Sequence, residues 1–246
     1  MGLPRRSRSR SRRSGALDRL VGEDAERERR QVAFMDASGS IGVHTGALCI
    51  AEAGHRAGDG VVAQANMMAR ATVWDAMVDA FASATGDLAA RMLAALDAGE
   101  REQGDVRGRQ SAAILIVSGD RHGEVWRDRA FELRVEDHLD PVVELRRLVE
   151  LRLAYDRLDE AEHAMAAGDR ERAAAIYAEA SAALGENPEG WFWAGVTMAG
   201  AGDIEGARDA LARAFAMHDG WRALLERLPA AGLMPDDPTL MGRLLA

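Results

Sequence analysis

The sequence predicts an α+β protein, with a strand-bearing N-terminal part followed by an all-helical C-terminal region. Three observations carry this. Short apolar runs separated by glycine-containing turns recur as far as Val135, the pattern of paired strands. One run, Ile114-Leu115-Ile116-Val117, follows the polar loop Gly104-Asp105-Val106-Arg107-Gly108-Arg109-Gln110-Ser111. A short aliphatic run after such a loop reads as a strand buried on both faces. Beyond Gly168 the chain repeats itself at a period of 34 residues in a helical pattern.

Taken in order, residues 1–15 are an Arg/Ser-rich tail that cannot bury apolar area and is expected to be disordered. The tail lacks the apolar stretch of a secretory or twin-arginine signal. It reads more simply as sequence translated ahead of, or out of step with, the native gene start than as a nucleic-acid-binding arm. A helical piece runs from Ala16 to about Glu28. Gln31–Asp36 and Ile41–Thr45 form a hairpin around Ser38-Gly39. Apolar residues fall on both faces (Val32 and Phe34 against Ala33 and Met35), so the sheet is expected to be covered on both sides. Gly54-His55 and Gly58-Asp59-Gly60 read as loops, and Val61–Asn66 as a strand ending in Gln64 and Asn66. Residues 71–98 are helical, with Val73, Met77 and Phe81 on one stripe and a break at Gly86-Asp87. The Ile114–Val117 strand pairs through Gly119–Gly123 with Ala130–Val135. Asp140-Pro141 then opens a helix reaching about Ala167. The N-terminal domain is therefore placed at 16–150 and the helical region at 151–246.

The repeat is read from Gly168-Asp169 and Gly202-Asp203, Ala173 and Ala207, and Ala180 and Ala214. Trp191, Ala194, Gly195, Ala207, Leu211 and Ala214 resemble the tetratricopeptide pattern, and Tyr177 with Ala180 match it one unit earlier. Pro229 falls where a third unit would need a small helical residue. So short an array is expected to dock on the first domain.

Composition excludes several chemistries. The net charge is −9, and six arginines without an acid in residues 1–14 leave −15 on the rest. An acidic body argues against nucleic acid as a partner. No apolar run is long enough to span a bilayer. The chain has no lysine, which excludes lysine nucleophiles, and Cys49 alone cannot form an internal disulfide. These features fit a reducing cytoplasm, and exclusive use of arginine hints at a GC-rich, bacterial genome. The six histidines show no metal-ligand spacing; a folded cluster of His44, His55, His138 and Asp137 is the weaker alternative to separate loop and core histidines. No metal and no cofactor are expected. The 104–108 loop lacks the lysine of a phosphate-binding loop, and Ser38 lies in a plain turn rather than a nucleophile elbow.

From about Ala16 to Leu148 the chain resembles the domain-of-unknown-function 1028 family, placed among the N-terminal-nucleophile hydrolases. The residues that carry this are Arg30-Gln31-Val32, His44-Thr45-Gly46 with Cys49, Gly54-His55, Gln64–Met68, Gly104-Asp105 with Arg107-Gly108 and Gln110-Ser111-Ala112, and Leu133–Val135 with Asp137-His138 and Pro141. The resemblance implies an αββα sandwich. It also implies attack by a Thr, Ser or Cys at the mature N-terminus, whose own α-amine serves as base. The strand carrying that residue is absent ahead of Gln31, so the sandwich is expected without its first strands, and with unpaired edges.

The reading is an N-terminal-nucleophile-like amide hydrolase, inactive as written, acting on a small amide or peptide. No catalytic residue is assigned. The expected pocket comprises Asn66, Gln64, Asp105, Arg107, Gln110, Ser111, Thr45, Asp137 and His138. Arg107 would pair with a substrate carboxylate, and Asn66 or backbone amides would steady an oxyanion. Thr45 and Ser111 are the only internal hydroxyls that could stand in as nucleophile, with His44, His55 or His138 as base. His44 adjoins Thr45 on a strand and so points to the opposite face, and no internal substitute is expected. The alternative is a binding or scaffold protein whose helical repeats hold a peptide partner. A homo-oligomer is expected in either case.

Overall fold

The computed structural model describes residues 14–120, 122–185 and 187–246, without the side chains of Ser14 and Ala166. The chain divides into two compact units, Met1–Arg146 and Arg147–Ala246. The protein is mixed α/β, with many helices and small antiparallel sheets.

In the first unit, helix α1 (Ser14–Glu23) begins within the stretch assigned to the tail, most of which lies outside the described residues. Three hairpins follow. Strands β1 (Gln31–Met35) and β2 (Ile41–Thr45) pair from Gln31↔Thr45 to Met35↔Ile41. The expectation that this hairpin is covered on both sides is corrected: Phe34 and Met35, near its tip, are about half exposed, 44% and 49%.

The second hairpin corrects the sequence reading of Gly54-His55 as a loop. Gly54–Gly58 is strand β3, paired in full with β4 (Val61–Ala65) through the two-residue turn Asp59-Gly60. Gly60 has φ +67, a left-handed conformation that glycine supplies without strain. Gly54 sits in a strand because a Cβ there would lie 2.4 Å from the Trp74 ring. That ring belongs to helix α2 (Val73–Ser83), which packs on β3 and β4 and against α3 (Leu88–Arg101). Val73, Val78, Phe81 and Leu93 form the buried centre. Asp87 caps α3 by accepting from Ala90 N.

The third hairpin pairs β5 (Ala112–Val117) with β6 (Arg129–Val135), and a short helix α4 (Val125–Asp128) stands in the connection. The expectation of a strand buried on both faces is corrected here as well. Ile114 is buried, but Leu115 and Val117 are 48% and 58% exposed. Their cross-strand partners are Glu132 and Arg129, so this face of the hairpin is charged and solvated.

Helix α5 (Pro141–Ala166) leads into the second unit. There α6 (Arg170–Leu184), α7 (Pro188–Ala201) and α8 (Ile204–Met217) pack in succession, followed by the shorter α9 (Gly220–Leu225) and α10 (Pro238–Leu245). The two Gly-Asp pairs do the same work at each turn. Gly168 and Gly202 adopt φ +82 and +90, and Asp169 and Asp203 accept from Arg172 N and Gly206 N to cap α6 and α8. The small residues spaced by 34 are all inside: Ala173, Ala180, Ala207 and Ala214 are fully buried, and Tyr177 is nearly so.

Candidate functional site

The first two hairpins meet at one glutamine. Gln31 opens β1 opposite Thr45, the last residue of β2, so their side chains share a face. Gln31 Nε2 donates to the carbonyls of Gly54 (3.1 Å) and Ala65 (2.9 Å), the opposed ends of β3 and β4, and lies 3.2 Å from Thr45 Oγ1. Its Oε1 accepts from Asn66 Nδ2 at 3.0 Å. Both faces of the amide are thereby used, and the end of one hairpin is stitched to the end of the other.

Thr45 Oγ1 lies 2.8 Å from His55 Nδ1. Neighbouring His44 turns away, its Nε2 bonded to the Arg27 carbonyl at 2.9 Å, as alternation along a strand requires. Gln64 is the cross-strand partner of His55 and is exposed beside it. Thr45 and His55 open on a hollow of about 570 Å³. Its other walls are Cys49, the small residues Gly46, Ala47, Ala51, Ala53 and Gly54, and Glu52 and Trp74.

The glycine-punctuated loop lies near this site through the backbone. Met67 N and Met68 N donate to the carbonyls of Ile50 and Glu52, and Val106 N and Ala69 N donate to those of Met67 and Gly104. Segments 50–52, 67–69 and 104–106 are thus laid side by side, with Met68 bridged to Asp105. Met67 holds φ +59, a left-handed conformation that costs a non-glycine residue on the order of 1–2 kcal/mol.

The nine residues expected to line one pocket separate into three groups. Thr45, Asn66 and Gln64 gather with Gln31 and His55. Asp105 and Arg107 face each other instead: Arg107 Nε and Nη2 donate to the two carboxylate oxygens at 2.9 and 2.6 Å, and Arg107 N donates to Oδ1 at 2.8 Å. The guanidinium beside Asp105 holds its carboxyl below the usual range. The assignment of Arg107 to a substrate carboxylate is therefore corrected, because its fork is filled within its own loop. The third group lies where β5 begins and β6 ends. His138 N donates to the Gln110 carbonyl at 2.9 Å, with Ser111 and Asp137 exposed nearby. His138 Nδ1 accepts from Asp140 N. Among the described residues no group of three or more His, Cys, Asp or Glu could hold a metal ion.

Sequence reasoning overlooked Gln31 as a site residue, and Trp74 and Glu52 as walls. The Asp59-Gly60 turn was the signal that could have placed His55 and Gln64 on one face: a two-residue Asp-Gly loop between β-compatible runs fixes register by itself.

A mixed α/β protein with a polar knot between two hairpin ends is what fold and geometry define. The chain matches the family of unknown function DUF1028 over residues 8–145 and belongs to it. It is similar to the crystal structure of a Silicibacter pomeroyi protein described by the same family, at 30% identity and a TM-score of 0.48. That likeness covers 55% of this chain and 56% of the other, so the chain spans little more than half the length of that relative. None of the curated proteins matches the chain. Among the described residues no helix is long and apolar enough to cross a membrane.

Proposed function

We propose that the first unit is the substrate-holding part of an amide-bond hydrolase of the N-terminal-nucleophile kind, with an αββα architecture, and that the hollow beside Thr45 and His55 is its substrate site. The observation that carries this reading is the Gln31–Thr45–His55–Asn66 hydrogen-bonded knot at the edge of an open hollow. A fixed array of donors and acceptors beside a small-residue cavity is suited to orient a carbonyl group. The substrate is a small amide or peptide. Since Arg107 is filled by Asp105, and among the described residues the hollow is lined by one acidic residue, Glu52, and by no arginine, the group seated there is uncharged or cationic. The second unit, tetratricopeptide-like, is a docking module for a peptide partner, its repeat-related residues spent on internal packing and its exposed faces left for recognition.

Binding of small neutral amides to the full chain, followed by thermal shift and by NMR line broadening of the ligand, tests the hollow. Ala53→Trp should fill it and abolish binding without lowering Tm. Binding that survives Ala53→Trp would place the substrate elsewhere.

A further inference from the structure

The knot narrows the roles open to the Thr45 hydroxyl beside His55. The carbonyls of Gly54 and Ala65 only accept, so the side of the Gln31 amide that faces them must be its NH2 group. Asn66 Nδ2 donating to Gln31 Oε1 requires the same orientation. Thr45 Oγ1, 3.2 Å from Gln31 Nε2, faces a nitrogen that cannot accept its proton. Its own proton can be directed at His55 Nδ1, 2.8 Å away, in the imidazole tautomer that carries its proton on Nε2. This is the polarity of a hydroxyl nucleophile and its general base, within hydrogen-bond reach of each other, and both groups line the hollow.

Against the expectation that no internal hydroxyl stands in as nucleophile, we propose that Thr45 is an acyl-accepting nucleophile with His55 as its general base, serving esters of short, uncharged acyl groups bound in this hollow. This rests on the reading of the hollow as a site for acyl substrates. Thr45 Oγ attacks the acyl carbon while its proton passes to His55 Nδ1. The bond to the leaving alcohol breaks, and the alcohol departs with that proton. Water then attacks the threonine ester, giving a proton to His55; the acyl–Oγ bond breaks, and Thr45 recovers the proton as the carboxylic acid leaves. Ester and water become acid and alcohol. The alanine and glycine walls leave room for a short acyl chain against Trp74, and Glu52 disfavours an anionic one.

The full chain is incubated with p-nitrophenyl acetate, quenched in acid and digested, and the acetylated peptides are identified by mass spectrometry. The expected result is an acetyl group on Thr45, retained in Thr45→Ser and absent in Thr45→Val. The valine variant should fold, because Gln31 keeps both carbonyl acceptors. His55→Gln should slow acetylation by about 100-fold or more. Added imidazole should restore it in His55→Ala, a rescue that a merely structural histidine would not show. Acetylation confined to other side chains, or unchanged by loss of His55, overturns the proposal. Acetylation of Thr45 by a chain that neither binds nor cleaves small amides supports it, and counts instead against the amide-hydrolase reading.

Discussion

At the scale of single residues, Gln31 is the most exposed to test. Replacing it by alanine leaves the Asn66 amide and two half-buried carbonyls without their partner, and an unsatisfied group of this kind costs about 1–3 kcal/mol. Gln31→Ala should lower the unfolding free energy measured in urea by that amount. Gln31→Glu should be at least as damaging, since a carboxylate cannot donate to the Gly54 and Ala65 carbonyls. A Gln31→Ala protein as stable as the parent would show that the hairpin ends are held by packing alone. Asp105 gives a pH test. Its folded carboxyl titrates below the ordinary value because Arg107 bonds it first through its side chain. A depressed carboxylate contributes stability that is present above the unfolded pKa and is lost as pH falls through the folded one. Protection of the Val106 amide against hydrogen exchange should therefore weaken below about pH 4 in the parent, and be weak at every pH in Asp105→Asn. The sequence made Asp105 and Arg107 legible as a loop pair but not as each other's partner. Two residues apart on a tight turn, they find each other before any substrate does.

At the scale of elements, periodicity was a good guide wherever one face decides burial, and a poor one for short apolar strands. Ile114 and Leu115 look alike in sequence, yet one is buried and the other is 48% exposed opposite Glu132. A run of aliphatic residues does not say how many layers will cover it, because that depends on distant elements. Ile114→Ala should cost about 2–5 kcal/mol. Leu115→Thr should stay within about 0.5 kcal/mol of the parent and reduce light scattering on heating, because it removes apolar surface from the exposed face of the hairpin. Loss of stability in Leu115→Thr as large as in Ile114→Ala would mean that this face is covered in solution. The helices are more legible, since a 34-residue spacing of small residues has one simple use, close helix approach. Two glycines of α7 separate packing from propensity. At Gly195 a Cβ would lie 2.6 Å from Leu211 Cγ, whereas at Gly200 nothing lies within 4 Å. Alanine gains about 0.5–1 kcal/mol of helix propensity at either position, but overpacking costs about 1–3 kcal/mol. Gly200→Ala should thus raise Tm and Gly195→Ala lower it. The opposite order would place the α7–α8 contact on another face of α7. Tyr177→Asp, at a site only 3% exposed, should cost several kcal/mol by burying an unpaired charge.

At the scale of the whole molecule, the two units have different kinds of core. In the first, α2 and α3 carry much of the burial, and the three hairpins each pair within themselves rather than in one continuous sheet. In the second, two apolar clusters lie along consecutive helices. One joins Ala154, Leu158 and Ala161 of α5 to Ala173, Tyr177 and Ala180 of α6; the other joins Phe192 of α7 to Leu211 of α8 and Leu225 of α9. Stability in such a stack is a sum of neighbour contacts, so the position of a truncation decides the outcome. A fragment 141–246 keeps α5 whole and with it both clusters. It should be helical by circular dichroism and melt in one transition. A fragment 168–246 strips the α5 side from the first cluster and exposes Ala173, Tyr177 and Ala180 together. Its expected behaviour is reduced helicity, a broad melt and partial aggregation. Equal cooperativity of the two fragments would show that α7–α10 carry the unit and that α5 belongs energetically to the first. A broad melt of both would show that the second unit depends on the first for its fold.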